Sequence, residues 1–304
     1  MSGINTTGRS LLRGDAGILE NSSSFRSSLA LAGARLVTKA RSIQLGLVAS
    51  WCVIAVVVLW ALFPAWFTSH SGTVGVARQQ LRAPSTEHWL GTDALGRDLL
   101  ARIIHGASQS LSGAFVAVGV GLLVGTALGL IAGSARGRMD GVIMRGVDVL
   151  LSIPQLLLSL SIVILLGFGT VNAAIAVGVT AIASFARLAR SEVVRVRASD
   201  YVEAAFGSGG TFSRVLWRHI LPNSLTSVIA FAALQFGWAI LTISTLGFLG
   251  YGAPPPTPEW GLLIAEGRNY IARAWWLTTV PGLVVILVVL SANRISQSFG
   301  KVRT

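Results

Sequence analysis

Residues 43–63 carry no charged side chain, and that stretch is about as long as a helix needs to be to cross a ~30 Å hydrocarbon layer. Lipid offers no hydrogen-bond partner to an open peptide group, so such a segment must close its own backbone bonds as a helix. Five more apolar runs follow, at about 111–133, 149–168, 171–185, 223–243 and 277–293. Across 304 residues the chain is 53% apolar and only 12% charged, with a mean hydropathy of +0.69. Those values lie outside the range of soluble domains. The fold class is all-α, a polytopic membrane protein with six transmembrane helices.

Net charge is +12, which on its own could point to nucleic acid. The distribution says otherwise. With six spans, the segments before the first, between second and third, between fourth and fifth, and after the sixth share one side, and they hold 18 of the 24 basic residues. The other side holds Arg78, Arg82, Arg97, Arg102, Arg268 and Arg273. The positive-inside rule then places both termini in the cytoplasm. The charge sets topology in lipid, and no nucleic-acid partner is expected. The expected organisation is a cytoplasmic tail over 1–42, the first span over 43–63 and an extracytoplasmic loop with an interfacial helix over 64–110. A five-helix core over 111–294 and a cytoplasmic tail over 295–304 complete it. The single Cys52 lies within the first span and can form no intrachain disulfide.

The centres of the six runs contain no Asp, Glu, Lys, Arg or His. Proton-coupled carriers keep such groups in the membrane as relays, so that class loses its support. A phosphate-binding loop needs Gly-Lys-Ser/Thr, yet Lys39 and Lys301 precede Ala40 and Val302. No catalytic, cofactor or metal site is expected, and the energy for any transport must come from a partner. His70, His88 and His105 share the 64–110 loop with Asp93 and Asp98 at spacings that fit no metal motif; they read as solvated loop residues. Asn172 and Gln235 either bond between helices or line a pathway.

From Arg97 onward Leu99, Leu100, Ile103, Ile104, Ala107 and Leu111 recur at helical spacing, with Arg102, His105 and Gln109 off the stripe. This predicts an interfacial helix leading into the second span. Gly121, Gly125, Gly129 and Gly133 fall at four-residue steps, a face that another helix can approach closely. Pro154 and Pro281 sit near the starts of the third and sixth spans, where proline is tolerated, so a straight continuation is possible and neither is evidence of a hinge.

The largest cytoplasmic loop, about 187–222, reads Asp200-Tyr201-Val202-Glu203-Ala204-Ala205-Phe206-Gly207-Ser208-Gly209-Gly210 before Ile220-Leu221-Pro222. Asp200 and Glu203 are spaced for a capping box, and the glycines end a helix of about two turns. Arg187, Arg190, Arg195, Arg197, Arg214 and Arg218 flank it. Glu203-Ala204-Ala205, Gly209 and Ile220-Leu221-Pro222 together resemble the EAA loop of ABC importer permeases. His88-Trp89-Leu90-Gly91-Thr92-Asp93 with Gly96-Arg97-Asp98, and Pro255-Pro256-Thr257-Pro258-Glu259-Trp260-Gly261, resemble signatures of the C-type permeases of the dipeptide, oligopeptide and nickel importer family.

The resemblance spans roughly 41–294 and implies an ABC type I importer permease fold. It also implies a homologous B-type permease as partner, separate ATPase subunits that bind ATP and magnesium, and an extracytoplasmic solute-binding protein. On this resemblance Asp200, Glu203, Ala204, Ala205, Gly209, Arg214 and Arg218 belong to the ATPase-docking coupling helix. Gly91, Thr92, Asp93, Gly96, Arg97, Asp98, Pro255, Pro256, Pro258, Glu259 and Trp260 form an outer gate or binding-protein contact, or else scaffold. The cargo is a di- or oligopeptide, with a nickel chelate or another small solute as alternative. A stand-alone channel or ion-coupled carrier would need no docking loop, and an assembly subunit would respond to no substrate.

Overall fold

A computed structural model describes residues 45–135 and 137–301; the tail expected over 1–42 lies outside the described residues. From Ser50 onward the described residues form one compact unit. In chain order the helices are α1 (Leu45–Leu62), α2 (Leu99–Ser134), α3 (Arg138–Ser152), α4 (Gln155–Leu166), α5 (Thr170–Arg197), α6 (Asp200–Gly207), α7 (Phe212–Val215), α8 (Leu221–Phe248), α9 (Trp260–Gly267) and α10 (Trp276–Lys301). A π-helical turn, Leu216–Ile220, joins α7 to α8 in one 37-residue helix, Phe212–Phe248. Helix α10 thus runs past the apolar stretch into the segment expected as a tail.

Five of these helices are long and apolar enough to cross a membrane. The third expected span is different. Helices α3 and α4 meet at a bend of 94°, and neither half reaches across a ~30 Å layer at 1.5 Å per residue. Pro154 causes the break that a straight span left out. Its ring pushes the preceding residue out of the helical region, and Ile153 is extended, at φ −92° and ψ 131°.

The interfacial helix and the second span are one element. Helix α2 has 36 residues, about 54 Å at the standard rise, so its first turns extend beyond an apolar layer. Along its length α2 packs on α5 in the same direction, and the four glycines form the contact. A β-carbon on Gly121 would lie 2.8 Å from that of Ala181, and one on Gly125 would lie 2.5 Å from the Ile182 carbonyl oxygen. On Gly129 it would lie 2.5 Å from the Ala186 carbonyl oxygen, and on Gly133 2.8 Å from Val193. Helix α5 answers with Gly178 against Ala117 and Val120.

Around this pair the core gathers Val163 of α4, Ile240, Ile243 and Leu246 of α8, Trp260 and Leu263 of α9, and Leu277, Val285 and Val288 of α10. Helix α1 adds Val53, Ile54 and Val57 to it. Of the two readings for Asn172, hydrogen bonding between helices is the one found, from the first turn of α5 to the end of α4. Its Nδ2 donates to the carbonyls of Leu166, Gly167 and Phe168 and so closes the open end of α4.

Candidate functional site

At the end of the bundle where α2 and α5 terminate, α6 lies across the junction between α5 and α7. Its inward side chains, Val202 with Ala205 and Phe206, pack on Val193 and Val196 of α5, and on Val215 and Ile220. Val202 is fully buried. Tyr201, Glu203, Ala204, Gly207, Ser208 and Gly209 are exposed. The two alanines therefore separate: Ala205 seats the helix on its own chain, and Ala204 leaves a shallow point on the outer face.

The capping box expected from Asp200 and Glu203 does not form. Ser199 is the N-cap and its backbone oxygen accepts from the amides of Val202 and Glu203. Its hydroxyl turns back to donate to the Val196 carbonyl at 2.5 Å. Asp200 and Glu203 instead occupy the first turn, where negative charge meets the positive end of the helix dipole. At the other end Gly209 has φ +85°, a left-handed conformation that favours glycine. A side chain on Gly210 would lie 2.6 Å from the Ala205 carbonyl oxygen. Gly209 and Gly210 thus fix a sharp stop, as the glycines at the end of the two-turn helix led one to expect.

Four of the six flanking arginines have internal work. Arg190 makes a bidentate pair with Asp140 of α3, both bonds 2.6 Å, and Arg187 reaches Asp148 at 2.5 Å. Arg195 pairs with Glu192. Arg197 donates to the Ser134 carbonyl at 2.7 Å and lies over the Phe212 ring. Arg214 and Arg218 are exposed. Between them Trp217 is 63% exposed, an aromatic that spacing did not single out.

The proline that follows explains the π turn. Pro222 has no N–H to offer the preceding turn, and Leu221 bonds instead to the Leu216 carbonyl, five residues back. The side chains of Asn223 and Ser224 donate to the carbonyls of His219 and Ile220 at 2.7 and 2.8 Å.

The opposite end holds the two other sequence segments. Asp93, expected to be solvated, is buried: its Oδ1 accepts from the amides of Leu95 and Arg97, and its Oδ2 from Arg97 Nε at 2.6 Å and Arg102 Nη1 at 2.7 Å. Both arginines also reach Glu266 of α9, at 3.1 and 2.5 Å. Asp98 caps α2 through the Ala101 amide and meets His88 Nδ1 at 2.8 Å. His88, Asp98 and Arg102 are likewise buried, so they belong to an internal polar network and not to a wet loop. The physical reason is pairing: charges leave water when opposite charges and N–H donors receive them.

Glu259 caps α9, accepting from the amides of Gly261 and Leu262 at 2.8 and 2.9 Å. Burial pushes its carboxyl up to about 7, against the opposing pull of those two amides. Trp260 donates its indole N–H to the Ile103 carbonyl at 3.0 Å and so pins α9 to α2. Gly91, Thr92, Gly96, Arg97 and Pro258 are buried with them, and Pro255 and Pro256 are exposed. Beside these prolines, the exposed apolar groups at this end include Trp89 and Leu95.

Residues 125–301 match the family of binding-protein-dependent transport system inner membrane components. The chain belongs to this family. It is an ABC importer permease, and it is similar to named relatives along most of its length. Identity to the dipeptide transport system permease protein DppC of Alkalihalophilus pseudofirmus is 42% over 245 residues, 81% of each chain. To the probable D,D-dipeptide transport system permease protein DdpC of Escherichia coli it is 38% over 261 residues, 86% of this chain and 87% of that one. To the glutathione transport system permease protein GsiD of an Escherichia coli strain it is 38% over 251 residues, 82% of each. The fold is similar to that in an inward-facing structure of the MetNI methionine ABC transporter, with TM-score 0.54 and 21% identity over 66% of this chain and 96% of that one. It is also similar to that in an amino acid ABC transporter structure with histidines, with TM-score 0.51 and 19% identity over 66% and 94%. In this permease the family match takes in α6 and α9 but stops short of the 64–98 segment.

Proposed function

We propose that this permease imports di- or oligopeptides, forming the pathway together with a homologous B-type permease, and that α6 is the coupling helix on which an ATPase subunit docks. The observation that carries the reading is the two-sidedness of α6. Val202, Ala205 and Phe206 seat it on the end of α5 and on α7 with the π turn that runs into α8, while Glu203 and Ala204 face outward. A force applied to the outer face passes into two long helices and not into a mobile loop.

On this reading α6 and both termini lie in the cytoplasm, as the basic residues favour. The 64–98 segment and α9 then face the solute-binding protein. Closure of the ATPase pair moves α6, the spans rock as bodies, and the pathway opens alternately to each side. ATP and magnesium stay in the ATPase subunits. Asp200 and Glu203 supply an acidic first turn, Ala204 leaves room for close seating, Gly209 ends the helix, and Arg214 and Arg218 add charge beside it. Ala205 acts from behind, as the seat. The peptide cargo rests on the dipeptide and glutathione systems to which the relatives belong.

Co-purification tests the docking. ATPase subunits expressed with the wild-type chain are expected to stay bound in detergent, and Ala204→Arg is expected to release them while the permease still reaches the membrane. Retention by Ala204→Arg at the wild-type level would remove the docking assignment.

A further inference from the structure

We propose that His70, His88 and Asp98 bind a divalent transition-metal ion of the zinc class, which clamps the loop at His70 and His88 onto the N-cap of α2. One ligand atom from each of the three lies within 4.8 Å of the other two, and the imidazole rings of His70 and His88 are 5.3 Å apart. Two imidazoles and a carboxylate are a donor set suited to such ions, with coordination positions left over for water. His88 and Asp98 are buried and His70 is exposed, so the site has a fixed floor and an open entrance.

The hydrogen-bond polarity around His88 points the same way. Glu87 accepts from the Gln79 side-chain NH2 at 3.2 Å, which turns the Gln79 amide oxygen toward His88 Nε2, also at 3.2 Å. Nε2 must then carry the hydrogen and donate it. Nδ1 is left facing Asp98 Oδ2 at 2.8 Å, two acceptors that need a cation between them. A proton would meet that need for the pair alone, but it would give no reason for the second imidazole. A metal ion uses all three, and the Gln79 contact becomes the outer hydrogen bond that fixes the tautomer of a metal-bound histidine. Asp98 Oδ1 meanwhile accepts from the Ala101 amide at 2.7 Å, which holds the carboxylate in place without using the oxygen that faces His88.

The test is zinc binding to the full-length permease, purified in detergent without an affinity tag and stripped with chelator, followed by calorimetry and by metal analysis after dialysis. Wild type is expected to hold one zinc per chain and to melt at a higher temperature with it. His70→Ala removes an exposed ligand and leaves the buried pair intact; it is expected to lose the bound zinc and the thermal shift. Gln79→Ala is expected to weaken binding about 10-fold or more, and His105→Ala, which lies outside the triad, is expected to bind as wild type does. Equal zinc retention by wild type and His70→Ala, or no retention by either, would overturn the site. So would a loss in His105→Ala as large as that in His70→Ala.

Discussion

Gly129 of α2 lies so close to α5 that a β-carbon on it would sit 2.5 Å from the carbonyl oxygen of Ala186. Backbone cannot yield as the tip of a flexible side chain can. Gly129→Leu is therefore expected to destabilise the permease by about 1–3 kcal/mol or more, the usual range for overpacking. Gly119, on the same helix, has nothing within 4 Å of the equivalent position, and Gly119→Ala is expected to change stability by no more than about 0.5 kcal/mol. Thermal unfolding in detergent compares the two. Equal melting temperatures would mean that α2 and α5 are not in backbone contact.

Arg102 and Arg187 each face a carboxylate, but their settings differ. Arg102 is 1% exposed between Asp93 and Glu266, whereas Arg187 and Asp148 are 57% and 62% exposed. Arg102→Met leaves Asp93 and Glu266 to Arg97 alone, and losing its charged hydrogen bonds is expected to cost about 1.5–3 kcal/mol. Arg187→Met is expected to cost about 0–1 kcal/mol, because water screens that pair. The same unfolding measurement ranks them, and a similar cost for both would show that the network is not buried.

Glu259 makes stability depend on pH. Its carboxyl titrates at about 7 in the fold, against an ordinary value of 4.5, so between those two values only the folded chain keeps the proton. Stability from this group is complete below about 4.5 and is lost as pH rises through about 7. The melting temperature is expected to fall over that range, and Glu259→Gln, which has no proton to lose, is expected to flatten the decline. An unchanged slope in the variant would assign the pH dependence to another group.

Much of this architecture is legible in the sequence, because apolar length and small-residue spacing are local signals. Five of the six runs fall on long apolar helices, and the glycines at 121, 125, 129 and 133 mark a close helix contact before its partner is known. The short helix at Asp200 is similarly local, since acidic residues at its start and glycines at its end are neighbours in the chain.

What escaped reading depends on distance or on competition. Arg102 belongs to the polar face of an amphipathic pattern until Glu266, 164 residues away, arrives beside it. His88 and Asp98 look like wet loop residues because no helical or strand period links positions ten apart in an irregular loop, although they bond to each other. Pro154 was compatible with a straight span by position alone, and the extended backbone it imposes on Ile153 decided the matter. At Ser199 a local competitor prevailed: its hydroxyl bonds back to α5 and no capping box forms.

The most direct test of the account is ATP hydrolysis in proteoliposomes that contain this permease with its partner permease, ATPase subunits and solute-binding protein. Wild type is expected to be stimulated by binding protein loaded with peptide, and Glu203→Lys is expected to lose that stimulation at equal expression and assembly. Stimulation undiminished in Glu203→Lys would contradict coupling through α6, and stimulation by a nickel chelate in place of peptide would contradict the proposed cargo.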